Sequence, residues 1–499
     1  MLAGLTLAAC WVRAGWLPSV QGTMGRDEAR LALAARGILE HGVPLLPDGF
    51  LYTRGLLPAY LEALSFALFG VTDAAARLPS LVFGTLLVPA VYGLARLAGG
   101  PSAALAAATI VAFAQPLVLQ SREAWLYSSL LLWFTLALAW LGRDGPGDRR
   151  RAGLALLAAL FSHELAVLLV PVAAVLDLAR LRSGRGRPVG WRGWRPLVGF
   201  WLVLAAGVAA VGALSVMLRA PTAGGAAVEL REYLRPALDL GGLDATLGIL
   251  GGWHAWLLPA AVLGLPFTRP GLRRLLASPG RLAPLLAVVV VLLFNAFGLV
   301  QRGESRYVLL ALPPLAVLAA TGLARVGPPV AAGLVGARLG YAARASVRAG
   351  LLVSLVAFGL DPVRLAADAH ARDVASTWVQ AVADRGPDDL IVSFAPTVTS
   401  HYLGRTDYWL RSEGYEKYVW AGRRPLRDVH SGATVIRDVR ELDGLLVQPK
   451  RGRTVWVILA GDPAREASRA AREVATALQA RAAETRRPPD GRVVLRVVP

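Results

Sequence analysis

The stretch Arg26-Asp27-Glu28-Ala29-Arg30-Leu31-Ala32-Leu33-Ala34-Ala35-Arg36-Gly37-Ile38-Leu39-Glu40-His41 decides how this chain is read. It comes soon after the apolar run 2–17 and opens with two carboxylates in a sequence that is otherwise mostly apolar. Acidic side chains are costly near lipid, so a pair placed there calls for a reason. Leu31, Ala34, Ala35, Ile38 and Leu39 recur at helical spacing, with Arg30 and Glu40 off that stripe, which predicts an amphipathic helix over 27–41. Residues 58–69 form a second such stretch, and both read as helices lying flat on a membrane surface.

The rest of the composition says why a membrane is expected. Of 499 residues, 55% are hydrophobic and only 17% charged, with a mean hydropathy of +0.50. A soluble domain of this size carries more charge, so several bilayer crossings are implied. The net charge of +19 would suit nucleic acid. However, the arginines fall in short clusters between apolar runs, the pattern of cytoplasmic loops, and nucleic acid is set aside as a partner. The single Cys10 excludes an intramolecular disulfide and a thiolate metal cluster. Ala8-Ala9-Cys10 is a poor cleavage site without a basic region before it, so the first apolar run reads as a retained span rather than a signal peptide.

Apolar runs separated by charge predict a mainly α polytopic helical bundle with about eleven crossings. They lie near 2–17, 77–97, 102–119, 124–141, 152–162, 165–178, 198–218, 253–267, 282–300, 307–323 and 347–360. Connections after the even-numbered spans carry the arginines: Arg143 with Arg149–Arg151, then Arg180 to Arg195, Arg269 to Arg281, and Arg325 to Arg348. That alternation makes them cytoplasmic and the loop holding Asp27 external. The first span is short and holds Arg13, which reads as snorkelling to the interface or as a truncated start. The run 152–162 is too short to cross alone and meets the next at Ser162-His163-Glu164, a polar break of the kind that lines a cavity. The expected organisation is a membrane module over 1–360, with its long first external loop at 18–76, followed by a small external α/β domain over 361–499. In that domain, 389–394, 454–459 and 492–498 read as strands, and 372–383 and 465–483 as helices; the arginine- and glycine-rich 182–194 reads as a solvated linker.

Several motifs together carry a family resemblance. They are Arg26-Asp27-Glu28-Ala29-Arg30, Gly42-Val43-Pro44, Tyr52-Thr53-Arg54-Gly55-Leu56-Leu57, Leu68-Phe69-Gly70 and Ala76-Arg77-Leu78-Pro79-Ser80. Ser121-Arg122-Glu123-Ala124-Trp125-Leu126-Tyr127 and Glu304-Ser305-Arg306-Tyr307 with Leu312-Pro313-Pro314 follow later. This set resembles the GT-C glycosyltransferases, in the branch of the protein O-mannosyltransferases and aminoarabinose transferases, over roughly residues 1–325. The resemblance implies a multi-pass enzyme of the bacterial inner membrane with a periplasmic C-terminal domain. Such an enzyme moves a sugar from a polyprenyl-phosphate donor to a glycan, lipid or protein acceptor, and the family's catalytic aspartate falls on Asp27. It also implies a metal held by an acidic residue beside a basic one in the first loop. Here the matching pair is Thr53-Arg54, so a divalent metal would lack that ligand, and no other cofactor is called for.

The chemistry fits those residues. Transfer to a hydroxyl needs a base within hydrogen-bond reach of the acceptor, which Asp27 offers. Its alternative role is to cap the helix that follows. Glu28 points some 100° away from Asp27 on a helix and reads as a supporting or dipole-stabilising group. The leaving lipid phosphate gains charge as the glycosidic bond breaks, and arginine suits it. Arg54, Arg302 and Arg306, the last beside Tyr307, are the candidates, with interfacial anchoring as the alternative. Tyr52 and Tyr127 are expected along the cavity, Arg122 with Glu123 as an ion pair closing it. His163 with Glu164 marks a polar helix break that could touch acceptor, too few ligands for a metal site. His254 reads as an aromatic-belt residue, Glu232 and Tyr233 as weak sugar contacts, and Tyr402 to Trp409 as domain packing or acceptor contact. A transporter of lipid-linked sugars would show inverted repeats, which are not evident here. A polysaccharide polymerase or ligase would carry its large loop late in the chain.

Overall fold

The computed structural model describes residues 1–14, 24–145, 147–182, 190–217, 240–254, 256–263, 265, 268–296, 305–335, 377–411, 414–447, 453–459, 469–489 and 491–498. The expected span at 347–360, Arg302, Glu232 and Tyr233 lie outside them, as does the side chain of His254. In chain order the helices begin α1 (Leu2–Ala14), α2 (Arg26–His41), α3 (Leu56–Phe69), α4 (Asp73–Phe113), α5 (Gln115–Gln120), α6 (Tyr127–Leu141), α7 (Asp148–Ser162), α8 (Leu169–Arg182) and α9 (Gly190–Met217). Further helices run over Leu240–His254, Leu257–Leu263, Arg269–Leu276, Pro279–Ala296 and Leu312–Val335. Among the described residues, six strands follow later in the chain: β1 (Leu390–Ser393), β2 (Tyr408–Leu410), β3 (Thr434–Ile436), β4 (Val455–Leu459), β5 (Ala482–Arg486) and β6 (Val493–Val497). The chain divides into two compact units.

The first unit comprises Met1–Trp16, Arg77–Val216 and Glu232–Ala366. Among the described residues, two helices are long and apolar enough to cross a bilayer, Asp73–Phe113 and Arg306–Arg325, or up to four if each of two sharply bent pairs is one span. Helix α4 covers two of the expected spans, because Gly100 (φ 82°) breaks it just before Pro101. The second of those spans stops at Phe113, where Ala114 turns extended and α5 begins with Pro116 in its first turn, rather than running on to 119. The expected polar break holds: α7 ends at Ser162, His163 is extended, and a 3-10 turn (Glu164–Leu168) leads into α8. Residues 190–194, expected in a linker, instead open α9.

The basic connections meet at one end of this unit. Arg149 pairs with Asp177, Arg180 Nε lies 2.8 Å from Asp144 Oδ1, and Trp201 Nε1 donates to Asp177 Oδ2 at 3.1 Å. A Cβ on Gly142 would sit 3.1 Å from Gly280 Cα, so the turn that carries Arg281 joins the same end. Arg13 does not snorkel. It is fully buried, with Nη1 donating to Ala112 O at 2.8 Å and Nη2 to Val111 O at 3.0 Å. These are terminal carbonyls of the α4 helix, left without helical partners by the break at Ala114, and a guanidinium satisfies them where water has no access.

The second unit comprises Leu17–Ala76, Met217–Arg231 and Ala367–Pro499. The first loop thus falls in one unit with the C-terminal α/β domain. The reason lies in α2, which buries Ala29, Leu31, Ala32, Leu33, Ala34 and Ala35 around most of its circumference. It lies against α3 and the helix Pro396–Leu403, so Leu31, Ala34 and Ala35 of its apolar stripe meet protein, while Leu39 stays exposed. Arg36 Nη1 donates to His401 O at 3.4 Å, and the Met24 N–H to Tyr402 Oη at 3.0 Å. Tyr402 Oη in turn donates to Asp73 Oδ2 at 2.7 Å. A small hairpin bridged at Leu45 and Leu51 presses on α2 at Gly37, where a Cβ would lie 2.0 Å from Leu45 O.

The sheet runs β3-β2-β1-β4-β6-β5. Its first four strands are parallel, and β6 and β5 close it antiparallel. Val392, Leu410, Ile436, Val457, Leu478 and Leu495 are among its core residues. The three strands read from sequence are β1, β4 and β6; β2, β3 and β5 escaped because they are short or half-exposed.

Candidate functional site

Helix α2 begins after Gly25, whose extended backbone is the N-cap. The Gly25 N–H donates to Glu28 Oε2 at 2.8 Å, so Glu28 reaches back to close the helix start. Asp27 is therefore not the cap. It is the second helical residue, its carboxylate 3.0 Å from Arg30 Nη1, with side-chain exposures of 36% for Asp27 and 21% for Arg30. A carboxylate in a first turn also faces the positive end of the helix dipole.

Around that pair the second unit gathers a basic and aromatic cluster. The Arg30 guanidinium lies 5.5 Å from the Tyr418 ring centre, and Arg411 lies 5.3 Å from Trp409 and 5.7 Å from Tyr418. Arg26, Arg30, Phe394, Pro396, Thr397, Trp409, Arg411, Tyr418 and Asp428 line one small cavity. Phe394 directly follows β1 and Arg411 directly follows β2. The cavity thus opens at the carboxyl ends of parallel strands, where open α/β sheets take their ligands.

Charges in the cluster act on one another. Partial desolvation, then the charges of Arg411 and Arg30, lower the Arg26 pKa from its ordinary value. Burial works to raise Asp428, but hydrogen bonds from His430 and Ser431 and the charge of Arg30 outweigh it and hold the carboxyl below the usual range. Burial, then Arg30, push buried His430 below its ordinary value despite the pull of Asp428 at 3.3 Å. Phe50 of the first-loop hairpin meets His430 edge-on at 5.7 Å, and Asp48 accepts from Trp420 Nε1.

The other expected residues fall elsewhere. Tyr52 is buried in the second unit, its N–H donating to Pro44 O at 2.9 Å; Arg54 is half-buried before Gly55 (φ 68°), which opens α3. In the first unit, Glu123 accepts from Gln120 Nε2 at 3.2 Å, and Arg122 is buried beside it in the turn before α6. The Tyr127 ring centre lies 5.1 Å from that of His163. His163 is buried, and its Nδ1 accepts the Leu165 N–H at 3.1 Å. The same Nδ1 lies 3.2 Å from Glu164 Oε2, within the polar break between α7 and α8. Arg306 lies 5.2 Å from the ring centre of its neighbour Tyr307, which is buried. Among the described residues, no three His, Cys, Asp or Glu side chains are grouped to hold a metal ion.

Sequence reasoning missed Arg26, Arg30, Arg411, Trp409, Tyr418, Asp428 and His430 as a group. Arg26 and Arg30 stood inside the quoted motif, and their i and i+4 spacing places both on one face of α2. Nothing local joins them to residues almost 400 positions on.

Residues 53–185 match the family model of dolichyl-phosphate-mannose-protein mannosyltransferase. The fold is similar to that of ArnT from Cupriavidus metallidurans bound to undecaprenyl phosphate, at 16% identity and a TM-score of 0.67, covering 99% of this chain and 97% of that one. The apo form of the same protein matches at 17% identity and a TM-score of 0.65, with the same coverage of both chains. The Archaeoglobus fulgidus oligosaccharyltransferase in its apo form matches at 14% identity and a TM-score of 0.53, over 92% of this chain and 69% of that one. No curated protein matches the chain in sequence. The GT-C resemblance read from the motifs is thus borne out by a family match and by a shared fold.

Proposed function

We propose that this chain is a membrane glycosyltransferase that moves a hexose or pentose from a polyprenyl-phosphate carrier to an acceptor hydroxyl on the external face, with Asp27 as general base. The observation that carries the reading is the setting of Asp27: a one-third-exposed carboxylate in the first turn of α2, oriented by Arg30 at 3.0 Å, in a chain with this fold. ArnT, similar in fold over 99% of this chain, is described with undecaprenyl phosphate bound, which supports a donor of that class.

In the proposed step the acceptor O–H gives its proton to Asp27 as its oxygen attacks the anomeric carbon. The bond from that carbon to the carrier phosphate breaks, and the phosphate leaves with the bonding electrons. Arg306, Arg302 and Arg54 are the proposed cations for that leaving phosphate, with Tyr307 packing against Arg306. Arg122, Glu123, Tyr127, His163, Glu164 and Tyr52 are proposed around the cavity and Glu28 as the helix-closing support of Asp27. The alternating basic connections support about eleven spans, and with them an inner-membrane protein whose C-terminal domain is periplasmic.

The test is reconstitution of the full chain with a polyprenyl-phosphate sugar and acceptors extracted from its own cells. One carrier phosphate released per sugar transferred is expected. Comparing glycolipids and glycoproteins of a deletion strain with its parent names the acceptor. An unchanged glycan profile together with an unconsumed donor would reject the reading.

A further inference from the structure

We propose that the cavity at the carboxyl ends of β1 and β2 is a binding site for an oxyanion, a phosphate or carboxylate group. Three arginines, Arg26, Arg30 and Arg411, line it. Against them stands Asp428, whose carboxylate is already engaged by the Ser431 N–H at 3.1 Å, the Ser431 hydroxyl at 2.6 Å and His430 Nδ1 at 3.3 Å. The lining is thus rich in donors and poor in available acceptors. Two of those donors are buried and meet no acceptor among the described residues: Arg30 Nε and Trp409 Nε1. Trp409 is only 5% exposed, so water does not readily satisfy its indole N–H. Buried donors are seldom left unmade, and an acceptor-only ligand is the species that would complete both.

The site is also organised in advance. Stacking of Arg411 on Trp409 and Tyr418, and of Arg30 on Tyr418, fixes the guanidinium planes before any ligand arrives. Desolvation, and after it repulsion from Arg411 and Arg30, lowers the affinity of Arg26 for its proton, and an anion relieves the like-charge part of that cost. Because Arg30 also holds Asp27, the oxyanion would lie next to the proposed base. It belongs to either the acceptor or the donor lipid. That assignment rests on the function proposed above, whereas binding itself does not.

The test uses the full chain in detergent, unfolded thermally with inorganic phosphate titrated against chloride at constant ionic strength. A saturable rise in Tm is expected. Arg411→Gln should weaken apparent phosphate affinity about tenfold or more, and Trp409→Phe, which keeps the ring but loses the N–H, about three- to tenfold. Arg423→Gln, at an exposed arginine stacked on Trp420 outside the cavity, should leave the affinity as it is. No saturable shift in the unaltered chain, or equal affinity in Arg411→Gln and Trp409→Phe, would overturn the site. In a transfer assay, phosphate competing with acceptor assigns the oxyanion to the acceptor, and phosphate competing with donor assigns it to the carrier; competition with neither overturns a role in substrate binding. Absence of any transfer with an intact phosphate shift would reject the glycosyltransferase reading alone.

Discussion

Replacing Asp27 by asparagine separates a catalytic carboxylate from a structural one, because the two roles differ in size. The ion pair with Arg30 spans 3.0 Å with both side chains partly exposed, and pairs of that kind contribute about 0–1 kcal/mol. Loss of the charge from the first helical turn costs about 0.3–1 kcal/mol more. Helix closure does not depend on Asp27, since Glu28 accepts the Gly25 N–H. Asparagine also keeps the shape of the side chain, so Asp27→Asn should lower stability by only about 1–2 kcal/mol. Loss of a general base costs about 100- to 10,000-fold in rate, or roughly 3–5 kcal/mol on the barrier. The assay is transfer from a polyprenyl-phosphate sugar, with donor KM and thermal unfolding measured on the same preparation. The expected result is a kcat at least about 100-fold down, donor KM little changed and Tm close to that of the unaltered chain. A kcat within about threefold of the unaltered chain would refute the base assignment.

Three further outcomes follow from packing and charge. Gly37→Ala places a Cβ 2.0 Å from Leu45 O, a backbone atom that cannot step aside, so the hairpin must move off α2. A loss of about 1–3 kcal/mol or more is expected in thermal unfolding, and an unchanged Tm would mean that the hairpin is not seated there. Arg13→Met removes the hydrogen bonds to Val111 O and Ala112 O, leaving two buried carbonyls at about 1–3 kcal/mol each, partly offset by no longer burying a charge. Net destabilisation in detergent unfolding is expected; a more stable variant would show that desolvation dominates. His430 holds its proton less tightly than an ordinary histidine of pKa 6.5. As pH falls through 6.5 the unfolded chain therefore takes up a proton that the folded chain refuses, and stability declines. Asp428 adds a contribution present above 3.8 and lost as pH falls through its lower folded value. Tm measured between about pH 5 and 8 should drop below pH 6.5 and should drop less in His430→Leu; equal slopes would dismiss His430 as the titrating group.

Much of the membrane half could be read in one dimension because its rules are local. A break was legible at Ser162-His163-Glu164 because a polar triplet between apolar runs cannot face lipid, and the chain does break at His163. The common end shared by Arg143, Arg180 and the turn of Arg281 followed from alternation of charge along the chain. Arg13 was misread for the opposite reason. Snorkelling is the default for an arginine near a helix end, and only the break at Ala114 frees the carbonyls, ninety-eight and ninety-nine residues from Arg13, that hold it inside.

The amphipathic stripe of α2 shows the same limit. Its period of apolar residues specified a helix with one face to be covered, and the motif Arg26-Asp27-Glu28-Ala29-Arg30 placed two carboxylates at its start. Periodicity measures that a face is apolar and carries no information about whether lipid or protein will cover it. Protein covers its Ala29–Ala35 part, through α3 and the helix Pro396–Leu403. The same packing brings Arg411, Trp409 and Tyr418 alongside Arg26 and Arg30. Sequence alone determined the helices, their charged ends and the carboxylate at the head of α2, since each follows from neighbours a few residues apart. Tertiary structure decided which cations and rings surround that carboxylate, because they come from strand ends and loops whose positions are set only when the sheet forms.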